Sequence, residues 1–150
     1  MKSLFDAPAH MEIVARIDAL TASSQGLWGA MSVGQMLHHC QFPLEVALGN
    51  LDHLAIPGPF MKFLLKGFKK RLYDDRPWKR NMPTAKGFRV TTAREFVAEK
   101  ARLLLLVNEV HRAGKKQDWG PHPVFGKFTR QQWGQMQYKH LDHHLRQFGV

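Results

Sequence analysis

The sequence predicts an all-α protein, a four-helix bundle with a long crossover that contains a short extra helix. Three observations support this prediction: recurrent helix-start signals, apolar residues with a helical period, and one long connection between the second and third helices. The chain of 150 residues has the usual size of one domain. We therefore expect residues 1–150 to form a single helical domain.

The first two helices are predicted over residues 8–22 and 33–48. A proline follows Asp6-Ala7, and a proline in the first helical turn loses no hydrogen bond. The second helix begins at a capping box, in which Ser32 and Gln35 would each satisfy a free backbone amide of the other.

The third helix is predicted over residues 93–113, from a capping box of Thr92 and Glu95 to a stop at Gly114. Before it, the long connection contains the short extra helix, predicted over residues 59–72. Phenylalanines lie on one side of that segment and lysines on the other, which is the pattern of an amphipathic helix.

The fourth helix is predicted over residues 130–148, from a capping box of Thr129 and Gln132 to Gly149. Two of its histidines, His140 and His144, lie four residues apart and therefore share one face. A helical wheel places them on the apolar side, with Asp142 and Arg146 opposite and His143 at the edge. The apolar side comprises Trp133, Met136 and Phe148.

A third inward-facing histidine is predicted on the second helix, where His38 and His39 are adjacent. His38 falls on a polar stripe with Gly34, Gln41 and Glu45, which we expect to face water. His39 lies about 100° away, among apolar residues, so we expect it to be buried.

Three buried imidazoles would pack poorly without a partner, because an unpaired buried polar group costs about 1–3 kcal/mol. A divalent metal removes this difficulty, since neutral imidazole binds zinc, nickel, copper or iron. The pattern predicts a metal site of His39, His140 and His144 with one coordination position left open. The alternative is that they are core histidines with hydrogen-bond partners and no metal.

Positive charge is concentrated in residues 62–89, which hold ten Lys and Arg against two Asp, in a chain of net charge +10. This density favours an acidic ligand, a nucleic acid or an anionic surface, although a solvated connector explains it as well. No nucleic-acid-binding motif accompanies it. The candidate basic patch comprises Lys66, Lys69, Lys70, Arg71, Lys79 and Arg80.

Composition indicates a cytoplasmic protein without membrane association. Cys40 is the only cysteine, so no internal disulfide can form. The longest aliphatic run, residues 103–107, is too short to span a bilayer, and the N-terminus lacks the apolar segment of a signal peptide.

The sequence resembles the DinB-like superfamily of metal-dependent helical bundles, and most of all a bacterial branch catalogued as a domain of unknown function. The resemblance covers most of the chain and is carried by residues 28–40, 81–84, 122–126, 129–133 and 140–147. It implies an often dimeric four-helix bundle with a three-histidine metal site. One histidine belongs to the second helix and a His-x-x-x-His pair to the fourth, which are His39, His140 and His144 here.

Relatives in this superfamily include transferases and an isomerase that use low-molecular-weight thiols. By analogy, we expect a metal-dependent enzyme that binds Zn²⁺ or Ni²⁺ and acts on a small molecule, as a thiol-dependent S-transferase or a hydrolase. Gln147 is expected to orient a metal ligand. His122 would close over the site from its loop, although turn geometry explains its position as well. The alternatives are a non-catalytic metal-binding or stress-related bundle and, ranked lower, a nucleic-acid-binding module.

Overall fold

The computed structural model describes residues 1–50, 58, 67–82, 84, 86–115 and 119–150. These residues form a bundle of four α-helices with two short 3₁₀ helices, Lys69–Leu72 and Lys86–Phe88, between the second and the third. No strand occurs in the described ranges, where only an isolated antiparallel bridge joins His122 to Gly126. The all-α prediction is therefore confirmed. The helices are α1 (Ala7–Ala19), α2 (Val33–Leu48), α3 (Phe96–Ala113) and α4 (Arg130–Gln147).

Two of the three predicted capping boxes are confirmed. The hydroxyl of Ser32 accepts a hydrogen bond from the amide of Gln35, whose side chain accepts one from the Ser32 amide. The pair Thr129 and Gln132 does the same at the start of α4. Both helices therefore begin where the sequence signal places them.

The third predicted capping box is wrong. Glu95 is itself the N-cap of α3, because its carboxylate accepts hydrogen bonds from the amides of Val97 and Ala98 at 3.1 and 2.7 Å. The carbonyl of Thr92 instead accepts a hydrogen bond from the side chain of Gln35. This contact holds the preceding residues against α2, and the helix begins three residues later than predicted.

The predicted extra helix over residues 59–72 falls mostly outside the described residues. From residue 67 onward, the chain forms a turn and then the 3₁₀ helix Lys69–Leu72. The described end of the segment is therefore shorter and tighter than an α-helix.

The four helices enclose one apolar core. α2 packs most extensively against α3, while α1 contacts α3 and α4, and α4 also contacts α2. Each helix contributes fully buried side chains, among them Ile13, Ile17, Met36, Leu37, Leu44, Leu103, Leu106, Leu141 and Leu145. None of the described helices is long and apolar enough to cross a bilayer.

The polar stripe of α2 does not face water, contrary to the sequence prediction. It packs against α3, where the carboxylate of Glu99 bonds Nδ1 of His38 at 2.9 Å and accepts from the amide of Gln41 at 2.7 Å. A helical wheel identifies a polar face but cannot foresee a polar partner on another helix, and paired polar groups can be buried. His39 is nevertheless the more buried of the two histidines, as predicted.

Candidate metal centre

Three histidines meet in the bundle between α2 and α4. One ring nitrogen from each of His39, His140 and His144 lies within 4.8 Å of the others, and all three residues are buried. The helical period brings His140 and His144 onto one face of α4, and the packing of α2 against this face adds His39.

The proton on His39 is located by its hydrogen bond. Nδ1 of His39 lies 2.9 Å from the carbonyl oxygen of Phe88, which can only accept, so Nδ1 carries the hydrogen. Phe88 belongs to the 3₁₀ helix Lys86–Phe88, which therefore fixes the ring from outside the bundle. The other nitrogen, Nε2, is left with a free lone pair.

The proton on His144 is located in the same way, through Gln147. The amide nitrogen of Gln147 donates to the carbonyl of Trp28 at 2.7 Å, so its oxygen faces Nδ1 of His144, at 2.8 Å. Nδ1 of His144 is therefore the donor, and Nε2 again keeps its lone pair. Gln147 therefore holds the ring of His144 in one tautomer, and its role beside a metal stays a prediction.

His140 completes the group, with its Nε2 3.2 Å from Nε2 of His39. Its Nδ1 is buried and has no hydrogen-bond partner among the described residues. If the proton is on Nδ1, two lone pairs face each other at this distance, a repulsive arrangement that a cation would turn into ligation. Nitrogens bound to a tetrahedral zinc lie about 3.3 Å apart, given Zn–N bonds of about 2.0–2.1 Å, so this spacing fits a shared metal.

Burial keeps the three rings neutral near pH 7. It lowers the pKa of His144 to about 3, and lowers the pKa of His140 well below its ordinary value. The pKa of His39 is lowered by burial, against the opposing effect of its bond to Phe88. Neutral imidazole is the ligand form that a transition metal needs, and in His39 and His144 the lone pair is on Nε2.

A cleft of about 390 Å³ opens onto this centre. His39 and His144 line it, so a group entering the cleft can approach the position that three protein ligands leave open. His143 also lines the cleft, and burial lowers its pKa, so its neutral ring is available to accept a proton. The described lining includes no Asp or Glu.

The indole of Trp78 covers the outer side of the histidine group. Its ring lies 5.8 Å from that of His140 and 5.6 Å from that of His143, centroid to centroid. Buried Lys139 holds residues 71–74, which precede Trp78 in the chain. It donates to the carbonyls of Arg71 and Asp74 and to the Asp74 carboxylate. The segment that contains Trp78 is thus tied to α4 next to His140.

His122 is not in contact with the three histidines in the described structure. It lies in the turn over residues 122–126, where its Nδ1 accepts from the amides of Val124 and Phe125. Its ring packs against Phe125, Phe128 and Trp133, and burial lowers its pKa to about 4. These contacts agree with the alternative in which the geometry of the turn, rather than the metal site, explains the position of His122.

The predicted basic patch is only partly described, because Lys66 lies outside the described residues. Lys70, Arg71, Lys79 and Arg80 are exposed, while Lys69 is half buried over the ring of Phe128. The role of the basic patch in binding stays a prediction. Cys40 is buried, and its thiol lies near the sulfur of Met36 rather than among the histidines.

Sequence reasoning missed the other wall of the cleft, which is built from residues 28–31, 81, 82, 84 and 88–91. Residues 28–40 and 81–84 were among the stretches that carry the family resemblance, and this was the available signal. Gly29 shows why one of these residues matters. Its backbone has φ +80°, and a Cβ there would lie 2.5 Å from the amide nitrogen of Gln147.

The model of a family described as "Protein of unknown function (DUF1569)" matches residues 2–149. Neither the curated proteins nor the solved structures yielded a match.

Proposed function

Because the chain belongs to the DUF1569 family, whose description names no activity, we propose its function from its own site: a metal-dependent enzyme centred on His39, His140 and His144. One observation carries this proposal. Three buried ring nitrogens converge beside a cleft, and two of the rings have their Nδ1 atoms bonded elsewhere. We also propose that the chain belongs to the wider DinB-like superfamily.

Each residue has a part that follows from its contacts. The three histidines would hold Zn²⁺ or Ni²⁺ through Nε2, and Gln147 and the Phe88 carbonyl keep two of the rings turned toward it. When bound, such a metal supplies Lewis acidity that lowers the pKa of a coordinated water or thiol. His143 would accept the released proton, since it is the remaining titratable ring in the described part of the cleft lining.

The direct test is elemental analysis of protein purified without a histidine tag and then incubated with zinc or nickel. About one equivalent should bind, as expected for a single three-ligand site. The variant His140→Ala should lose this metal. His143→Ala is the matched control, because it alters the neighbouring ring and should leave stoichiometry unchanged. Wild-type protein without stoichiometric metal, or equal losses in both variants, would refute the assignment.

A second candidate is a metal-binding bundle without catalysis, which is favoured by the absence of a carboxylate from the described cleft lining. The two candidate functions differ in whether the protein catalyses a reaction. We expect metal-loaded protein to accelerate the reaction of a small thiol with monochlorobimane, in which the sulfur displaces chloride and a proton is released. Acceleration that is lost in both His140→Ala and His143→Ala supports the enzyme. A rate equal to the protein-free rate, across thiols and simple esters, favours the non-catalytic bundle.

A further inference from the structure

The cleft carries positive charge that the described protein does not balance. Three neutral imidazoles would leave the charge of a bound divalent cation uncompensated, in contrast to sites that include a carboxylate or thiolate ligand. Among the described lining residues, none is acidic, and Arg89 carries the permanent positive charge. A ligand that brings negative charge would therefore complete the site electrostatically.

Arg89 lines this cleft and Arg80 lies behind one of its lining residues, and neither has an acidic partner in the described structure. Neither Arg89 nor Arg80 has a described carboxylate oxygen within 4.0 Å, whereas Arg16, Arg76, Arg102 and Arg146 all do. Arg80 stacks over Trp28, with its guanidinium carbon 4.5 Å from the ring centroid, and Trp28 lines the cleft. The five-donor fork of an arginine suits the two oxygens of a carboxylate.

Two described carboxylates that lie beside neighbours of the site histidines are committed elsewhere. Asp142, next to His143, is bonded to Arg16 and Arg146 on the outer side of α4. Asp74 is bonded to buried Lys139, which neighbours His140. Because these carboxylates are already paired, the negative charge that balances the cleft has to come from a ligand.

The rest of the lining combines apolar side chains with neutral polar ones, and apolar atoms make up most of its surface. Trp28, Met31, Met82, Phe88 and Val90 form walls that would exclude water from an apolar ligand body. We propose that the substrate of this site is a small amphiphilic carboxylate, with its head group at Arg89 and the metal centre and its apolar body against these walls. This inference rests on the proposed metal-dependent function, and it names the substrate class.

A carboxylate is favoured over a phosphate by the number of donors. Phosphate dianions are usually held by several cationic or helix N-terminal donors, and Arg89 is the one guanidinium in the described lining. One arginine and one open coordination position match the two oxygens of a carboxylate.

The test is isothermal titration of zinc-loaded and metal-free protein with octanoate and with octanamide, which has similar size and no charge. Zinc-loaded wild type should bind octanoate at least about tenfold more tightly than octanamide, as a charge-assisted hydrogen bond predicts. Arg89→Gln should lose about tenfold in octanoate affinity and little in octanamide affinity. Arg112→Gln, an exposed arginine on α3, is the matched control and should bind both like wild type.

The outcomes separate this inference from the proposed function. Equal affinity for the two probes in zinc-loaded wild type, or unchanged discrimination in Arg89→Gln, overturns the carboxylate inference while the metal site stands. If the chain takes up no zinc, the proposed function fails. The metal-free titration then decides alone: a preference for octanoate that Arg89→Gln removes supports the inference, and no preference overturns it.

Discussion

Replacing Gln147 by leucine tests whether an orienting hydrogen bond sets metal affinity at this centre. The leucine has similar bulk but can make neither of the two bonds of Gln147, to Nδ1 of His144 at 2.8 Å and to the carbonyl of Trp28 at 2.7 Å. The side chain is 3 % exposed, so water cannot readily take its place. The substitution leaves one buried donor and one acceptor unpaired.

The expected magnitude follows from these two atoms. Each unpaired buried group costs about 1–3 kcal/mol, and Trp28 is only partly buried, so we expect metal-free Gln147→Leu to be about 2 kcal/mol less stable than wild type. With Nδ1 free, the His144 ring can turn or change tautomer. Loss of such an orienting partner typically lowers metal affinity by about 10–100-fold.

Gln147→Glu separates the hydrogen bond from the packing. Its carboxylate still accepts from His144, in the carboxylate–histidine–metal arrangement that raises ligand basicity, but it cannot donate to Trp28. We therefore expect it to keep metal affinity within about threefold of wild type despite some loss of stability.

Zinc competition with a chromogenic chelator measures the affinities, and urea unfolding of metal-free protein measures the stabilities. Gln131→Leu, on the exposed side of α4, is the control for an added leucine. The reasoning fails if Gln147→Leu binds zinc as tightly as wild type, or if Gln147→Glu loses as much affinity as Gln147→Leu.

Three further predictions concern protonation, anchoring and backbone fit. The pKa of His144 is about 3 in the fold and 6.5 as its ordinary value, so the unfolded chain takes up the proton first on acidification. The contribution of His144 to the free energy of unfolding is intact above pH 6.5. It falls by about 1.4 kcal/mol per pH unit toward pH 3, which amounts to about 2 kcal/mol by pH 5. Urea unfolding of metal-free protein should show this fall, and His144→Asn should reduce it. Lys139→Met should cost about 3 kcal/mol by urea unfolding, because it removes the donor to two carbonyls and to one oxygen of the Asp74 carboxylate, whose other oxygen stays paired with Arg76. A loss below that of a surface lysine variant would contradict the anchoring role. Gly29→Ala should weaken zinc binding at least about tenfold by pushing on Gln147, and an unchanged chelator titration would show that the loop yields instead.

The starts of two helices and the inward direction of the three histidines could be predicted from the sequence, because they depend on local rules. The boxes at Ser32 and Thr129 are satisfied within three residues of chain, and the 3.6-residue period alone placed His39, His140 and His144 inward. The failed box at Thr92 shows the limit of such rules. The carboxylate of Glu95 caps the helix amides itself, and a side chain from another helix binds the carbonyl of Thr92.

What the sequence determined by itself is the set of inward-facing imidazoles, because the period of a helix is a property of neighbouring residues. What only the tertiary structure decided is the chemical state of those rings and the shape of the space beside them. The proton on His39 depends on a carbonyl 49 residues away, and that on His144 depends on Gln147, whose amide is fixed by a carbonyl 119 residues away. Side chains with several hydrogen-bonding choices take the one that a distant backbone group imposes, and no local pattern contains that group.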